Sequence, residues 1–185
     1  MIIGLVVVAI GLLLVLWFFG AYNGLVRLRQ EVKSAWSQID VQLKRRHDLI
    51  PNLVEAVKGY LGHERSTLES VIKARQQAID ASALKDKIQA ENFLTQTLRS
   101  LFAVSERYPD LKANQNVMAL QEELTSTENR ISFARQFYND QAIRLNTAVE
   151  SVPTNVVAGI TGFTKQEFFE IEDTAHRAVP AVKFS

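Results

Sequence analysis

The first 26 residues carry no charged side chain, and Ile2 to Phe19 is almost wholly aliphatic, glycine and aromatic. A run of about 20 apolar residues at 1.5 Å rise spans the ~30 Å hydrocarbon core of a bilayer. In lipid such a segment must be helical, because no water is present to satisfy its backbone. Trp17, Phe18, Phe19 and Tyr22 gather at one end, where interfacial aromatics belong. A cleaved secretory signal needs basic residues first, a shorter apolar core and a small-x-small cleavage site. Nothing basic precedes this run, so it reads as an uncleaved anchor over residues 1–21. Arg27, Arg29 and Lys33 follow it directly. By the positive-inside rule they place the rest of the chain in the cytoplasm, as a single-pass protein of the cell membrane.

Beyond the anchor, Leu25, Leu28, Val32, Ala35, Ile39 and Leu43 step by three or four, one stripe on a helix widened by Trp36. Arg27, Arg29, Glu31, Lys33, Gln38 and Lys44 fill the opposite face. At Ile50-Pro51-Asn52 the residue before proline is pushed from helical geometry, while proline itself suits a first turn. A helix break near Asp48 to Pro51 is therefore expected. Leu53, Val57, Tyr60, Leu68, Val71 and Ala78 then continue the spacing, with polar interruptions at Glu64 and Arg75. Gly59 and Gly62 inside this run each cost about 1 kcal/mol against alanine. Asp80-Ala81-Ser82 reads as a helix end and a new cap. A third helix sets Phe93, Leu94, Leu98, Leu101, Phe102 and Ser105 on one side and must stop at Tyr108-Pro109-Asp110.

The fourth helix has the clearest period: Val117, Leu120, Leu124, Thr127, Ile131, Ala134, Tyr138, Gln141, Leu145 and Val149. Asn114 or a neighbour is placed to cap its start, and Ser151 to Asn155 ends it. Its coiled-coil-like stripe reads as the seam of a bundle, because three other helices need partners for their own stripes. The fold class expected is all-α: an N-terminal transmembrane helix, an antiparallel bundle of four long helices over 22–151, and a short C-terminal tail over 152–185. The tail opens with the apolar, glycine-containing Val156 to Phe163, and Phe168 to Glu172 is able to extend. It packs on the bundle or on a neighbouring subunit.

Charge and composition exclude several functions. The 21 basic residues nearly cancel the 20 acidic ones, so there is no bulk electrostatic case for nucleic acid. The absence of cysteine removes disulfides, thiol nucleophiles and thiolate metal sites. Di-iron bundles need paired Glu-x-x-His motifs, and His47, His63 and His176 have no glutamate three residues before them. His63-Glu64 does not continue to a His-Glu-x-x-His motif, and there is no Gly-x-Ser-x-Gly or phosphate-binding loop. No catalytic, cofactor-binding or metal-binding residue is therefore assigned. Lys44-Arg45-Arg46 reads as a solvated cluster paired with Asp40, Asp48 and other carboxylates, or alternatively as a contact for acidic lipid or protein. Near the seam lie Glu122, Glu123, Glu128, Asn129, Arg130 and Arg135. Pairs between these and Arg45 or Arg46 would fix helix register, while a ligand pocket there is the other reading.

Several ordered segments together resemble the LemA family of bacterial membrane proteins: Ile39-Asp40-Val41-Gln42-Leu43-Lys44-Arg45-Arg46, Asp48-Leu49-Ile50-Pro51-Asn52-Leu53-Val54, Tyr108-Pro109-Asp110-Leu111-Lys112-Ala113-Asn114, Leu120-Gln121-x-Glu123-Leu124, Thr127-Glu128-Asn129-x-Ile131 and Gly162-Phe163. The resemblance implies a transmembrane helix followed by an antiparallel bundle, and no established activity. Some relatives are linked to magnetosome formation and others lie near a membrane zinc protease. The functional expectation is a membrane-anchored, non-enzymatic scaffold or adaptor. Held at the bilayer, it would act through self-association as a homo-oligomer or through a membrane partner such as a protease complex. The alternative is a receptor-like module binding a small ligand or peptide between bundle helices.

Overall fold

The computed structural model describes residues 2–61 and 64–169. Those residues are all-helical, with no strand among them, in six helices: α1 (Ile2–Lys58), α2 (Arg65–Asp80), α3 (Leu84–Ser105), α4 (Pro109–Lys112), α5 (Gln115–Glu150) and α6 (Thr154–Thr161). The apolar segment opens α1 and is long and apolar enough to cross a membrane; its side chains from Ile2 to Trp17 are exposed.

The break expected at Asp48 to Pro51 is absent. α1 runs unbroken through Pro51 for 57 residues. Proline lacks an N–H, so the carbonyl four residues earlier, that of His47, loses its helical donor. Arg75 of α2 replaces it, its Nε donating to His47 O at 2.7 Å. The chain turns instead at Gly59 and Tyr60, after which α2 folds back and brings Arg75 opposite His47. The polar interruption at Arg75 is thus the repair of the proline.

The described residues form two compact units, one from residues 2–43 with 129–168, the other from residues 44–61 and 64–128 with Phe169. The boundaries drawn from composition, at 21/22 and 151/152, do not coincide with these. In the first unit Leu25, Val32, Ala35, Ile39 and Leu43 of α1 are buried, as are Ile131, Tyr138, Ala142 and Leu145 of α5. The two helices run antiparallel there. Trp36 meets Tyr138 edge-on at 5.6 Å, and further down α1 Glu31 meets Arg144 at 3.7 Å. Trp36 is half-buried rather than core.

At the end of the first unit α6 closes with Gly162 in the left-handed region (φ 74°), and Phe163 N bonds Ala158 O at 3.0 Å. Glycine reaches that geometry without a Cβ clash. The chain then returns along α5. Asn146 donates to Gln166 O at 2.9 Å and accepts from Gln166 N at 2.8 Å, and Tyr138 Oη donates to Glu167 O at 3.0 Å. Burial, with the Glu167 charge, pushes the Tyr138 hydroxyl above its ordinary range and keeps it a donor. Phe168 and Phe169 are non-helical; the remainder of the expected extended stretch, Glu170 to Glu172, lies outside the described residues.

The second unit has a continuous apolar core. Ile50, Leu53 and Val57 of α1 meet Leu68, Val71, Ala74 and Ala78 of α2, Leu94, Leu98 and Leu101 of α3, Leu111 of α4, and Val117 and Leu124 of α5. Asn114 caps α5 as expected, its Oδ1 accepting from the N–H of Asn116 at 3.0 Å and of Val117 at 3.3 Å. Phe93, expected on the inner side of α3, is exposed, because it falls about 100° from the Leu94–Leu98–Leu101 stripe.

Candidate functional site

The run Lys44-Arg45-Arg46-His47 divides by helical geometry. Successive residues point about 100° apart, so a run of four cannot share one environment. Lys44 faces water and pairs with Asp48 at 3.1 Å, as expected of a solvated face. Arg45, half-exposed, donates from Nη2 to Glu123 Oε1 of α5 at 2.7 Å. Arg46 overturns the solvated reading, for its side chain is 0% exposed. His47 is buried beside it.

Around Arg46 the second unit builds a polar cluster. Its Nη2 pairs with Glu91 Oε2 of α3 and its Nη1 with Glu128 Oε2 of α5. Nη1 also donates to Thr95 Oγ1 at 2.8 Å. The Thr95 hydroxyl has Glu91 O at 3.1 Å and Glu128 Oε1 at 3.2 Å within its own reach. The second Glu91 oxygen lies 3.0 Å from His47 Nε2. One planar guanidinium therefore ties α1 to both α3 and α5, the geometry for which arginine is suited and lysine is not.

Burial is the largest influence on the Glu91 carboxyl and acts to raise it. The contact with His47 and the charges of Arg46 and His47 together outweigh that, and hold it below the usual carboxylate range. A buried guanidinium without carboxylates would carry a desolvation penalty of several kcal/mol. Sliding α3 or α5 by one turn, about 5.4 Å, would strip it of them. The cluster thus locks helix register, while Arg46 Nε, His47 Nε2 and Glu91 Oε1 are buried without a well-formed hydrogen bond.

Sequence reasoning anticipated the pairs from Arg45 and Arg46 to α5 and missed Glu91 altogether. The signal was there: Ile88, Glu91, Leu94, Leu98 and Leu101 step by three and four, so Glu91 is a carboxylate on an apolar stripe. His47, given no role from sequence, is part of the cluster. Asn129 and Arg130 are exposed, and Arg135 is buried with partners of its own. Among the described residues no group of side chains is placed to hold a metal ion; His63 and His176 lie outside them.

Two cavities lie elsewhere in the second unit. One, of about 570 Å³, sits between the end of α1 and the start of α2, with Glu55, Lys58, Arg65 and Glu69 around Val54, Leu61, Leu68 and Ile72. The other, of about 330 Å³, is lined by Ser66, Thr67, Ser70, Gln96, Thr97, Ser100 and Phe93 of α2 and α3. Arg45, Asn129 and Arg135, the residues expected around a ligand, line neither.

The profile of the LemA family matches residues 35–184, which takes in α2 to α6, most of α1 beyond the apolar segment and the whole polar cluster. The chain belongs to the LemA family. Relatives of this LemA-family chain include magnetosome protein MamQ 2 of Paramagnetospirillum magneticum, 25% identical over 175 residues. Magnetosome protein MamQ of Magnetospirillum gryphiswaldense is 24% identical over 174. Each alignment takes in 80% of this chain and 64% of the relative. Protein LemA of Metamycoplasma hominis is 26% identical over 142 residues, 76% of this chain and 65% of that protein. The chain thus spans a little under two thirds of the length of these relatives.

Proposed function

We propose that this LemA-family chain is a membrane-anchored scaffold or adaptor without chemistry of its own. It crosses the membrane once through the first part of α1, and Arg27, Arg29 and Lys33 hold its remainder on the cytoplasmic side. The α1, α2, α3 and α5 segments of the second unit form a rigid four-helix arrangement. The observation that carries this reading is an exposed aromatic pair on α5, Phe133 at 73% and Phe137 at 43%. They sit one turn apart on the face opposite the Ile131–Tyr138 seam. Large apolar side chains left clustered in water mark association surfaces. The buried Arg46 is instead held by ion pairs to Glu91 and Glu128.

Self-association within the bilayer plane then gives a homo-oligomer, and the same surface serves a membrane partner such as a protease complex. Confinement to two dimensions raises effective concentration, so weak contacts suffice. The test is the mass of the full chain extracted in mild detergent, compared with Phe133→Glu/Phe137→Glu. The expected result is an oligomer or hetero-complex for the parent and a lone chain of unchanged helix content for the variant. A parent that is a lone chain, or a variant that assembles equally, overturns the reading. The second reading, a receptor-like module, is favoured by the 570 Å³ cavity, whose charged rim over an apolar floor suits a small amphipathic ligand.

A further inference from the structure

We propose that α6 is a second membrane contact, an interfacial helix whose outer face enters the headgroup region of the bilayer that α1 spans. The proposal rests on the reading of α1 as a membrane-crossing helix. α6, Thr154 to Thr161, contains no charged residue. Val157 and Ala158 are buried against the first unit. On the other side Val156 is 58% exposed and Ile160 70%, with Val152 of the preceding turn at 82%. An uncharged helix with one face packed and the other bare and aliphatic is poorly suited to water.

Its position identifies what covers that face. Because α5 runs antiparallel to α1 in this unit, its C-terminal end at Glu150 lies toward the apolar segment. The ring of Phe163, one residue past the Gly162 cap, meets Tyr22 edge-on at 6.1 Å. Tyr22 lies three residues past Phe19, about 5 Å further along the helix. Arg29 sets its guanidinium over the same Phe163 ring, 4.8 Å from the centroid. The base of the excursion is pinned by the Lys165–Glu150 ion pair and the Asn146–Gln166 bonds, leaving α6 as its tip. The first fully buried α1 side chain is Leu25. Protein burial therefore begins where hydrocarbon ends, and α6 sits at that level. Interfacial helices bury an apolar face about 5–10 Å into the headgroup and acyl boundary.

The chain has no cysteine, so single cysteines report cleanly. The full chain is reconstituted into phosphatidylcholine–phosphatidylglycerol vesicles, with an environment-sensitive fluorophore on Ile160→Cys, Val156→Cys, Leu12→Cys or Gln38→Cys. The expected result is quenching of the 160 and 156 labels by lipids carrying a shallow spin label, with loss of quenching by aqueous iodide. The Leu12 label should be quenched by deep spin labels and the Gln38 label by iodide. If Leu12 behaves so and Ile160 is open to iodide, α6 faces water and the proposal is wrong while the anchor stands. If Ile160 is shielded from both quenchers, a second copy or another protein covers it, and the proposal is again wrong. If Leu12 fails, the anchor reading fails and the proposal falls with it.

Discussion

The two units solve the same packing problem with different chemistry. In the first, α1 and α5 meet through Leu25, Ile39, Ile131 and Leu145 and an edge-on Trp36–Tyr138 pair, while side chains such as Asn146 and Tyr138 hold the returning chain by its backbone. In the second, an equally apolar core is interrupted by a buried arginine with two carboxylates and a histidine. Apolar contacts tolerate small shifts of one helix along another. A guanidinium bound to Glu91 and Glu128 does not, since each helix must present its carboxylate at one height. The difference teaches that the second unit, where segments of α1, α2, α3, α4 and α5 share one core, is the one that needs a specified register.

The largest expected effect breaks that cluster. Arg46→Ala leaves Glu91 buried beside only His47 and should destabilise the second unit by about 3–5 kcal/mol. Thermal melts with hydrogen exchange should place the loss in α3 rather than in the second half of α5. Equal loosening of both would mean that the units are not distinct.

Acid should act on the same place. The Glu91 carboxyl is held below its ordinary value in the folded chain. Its contribution to stability is full while both folded and unfolded forms are ionised. It is lost as pH falls below about 4.3, where the unfolded carboxyl takes up a proton first. Melting temperature measured against pH should drop on the acid side, and Glu91→Gln should flatten that drop. An unchanged slope in the variant would assign acid lability to other carboxylates.

Trp36→Ala probes the first unit. A fully buried tryptophan would cost about 3–5 kcal/mol, and this half-buried one should cost about half as much. A loss as large as that for Arg46 would erase the contrast between the units. The smallest effect is expected next door to the largest. Arg45→Ala removes a half-exposed pair with Glu123 and should change stability by about 0–1 kcal/mol. Comparable losses at Arg45 and Arg46 would show that burial is not what separates these neighbours.

Much of this molecule is decided by local pattern. The seam from Val117 to Val149 is buried or half-buried at every position read from its period, because a helix fixes which side chains share a face whatever it packs against. The Asn114 cap, the stop at Tyr108-Pro109 and the uncharged run that opens α1 follow from equally short-range chemistry. Pro51 and Arg46 do not. Whether a proline ends a helix depends on what else satisfies the carbonyl it orphans, and here that donor, Arg75, lies 24 residues away on another helix. Whether an arginine is solvated depends on carboxylates from α3 and α5, 45 and 82 residues distant. Glu91 stood in plain view on an apolar stripe, but its partner became visible only once α1 and α3 were side by side. Local pattern settles what each helix presents, because those forces act within a turn or two. Tertiary structure settles which buried charges and broken backbone bonds are tolerable, because only long-range neighbours can neutralise them.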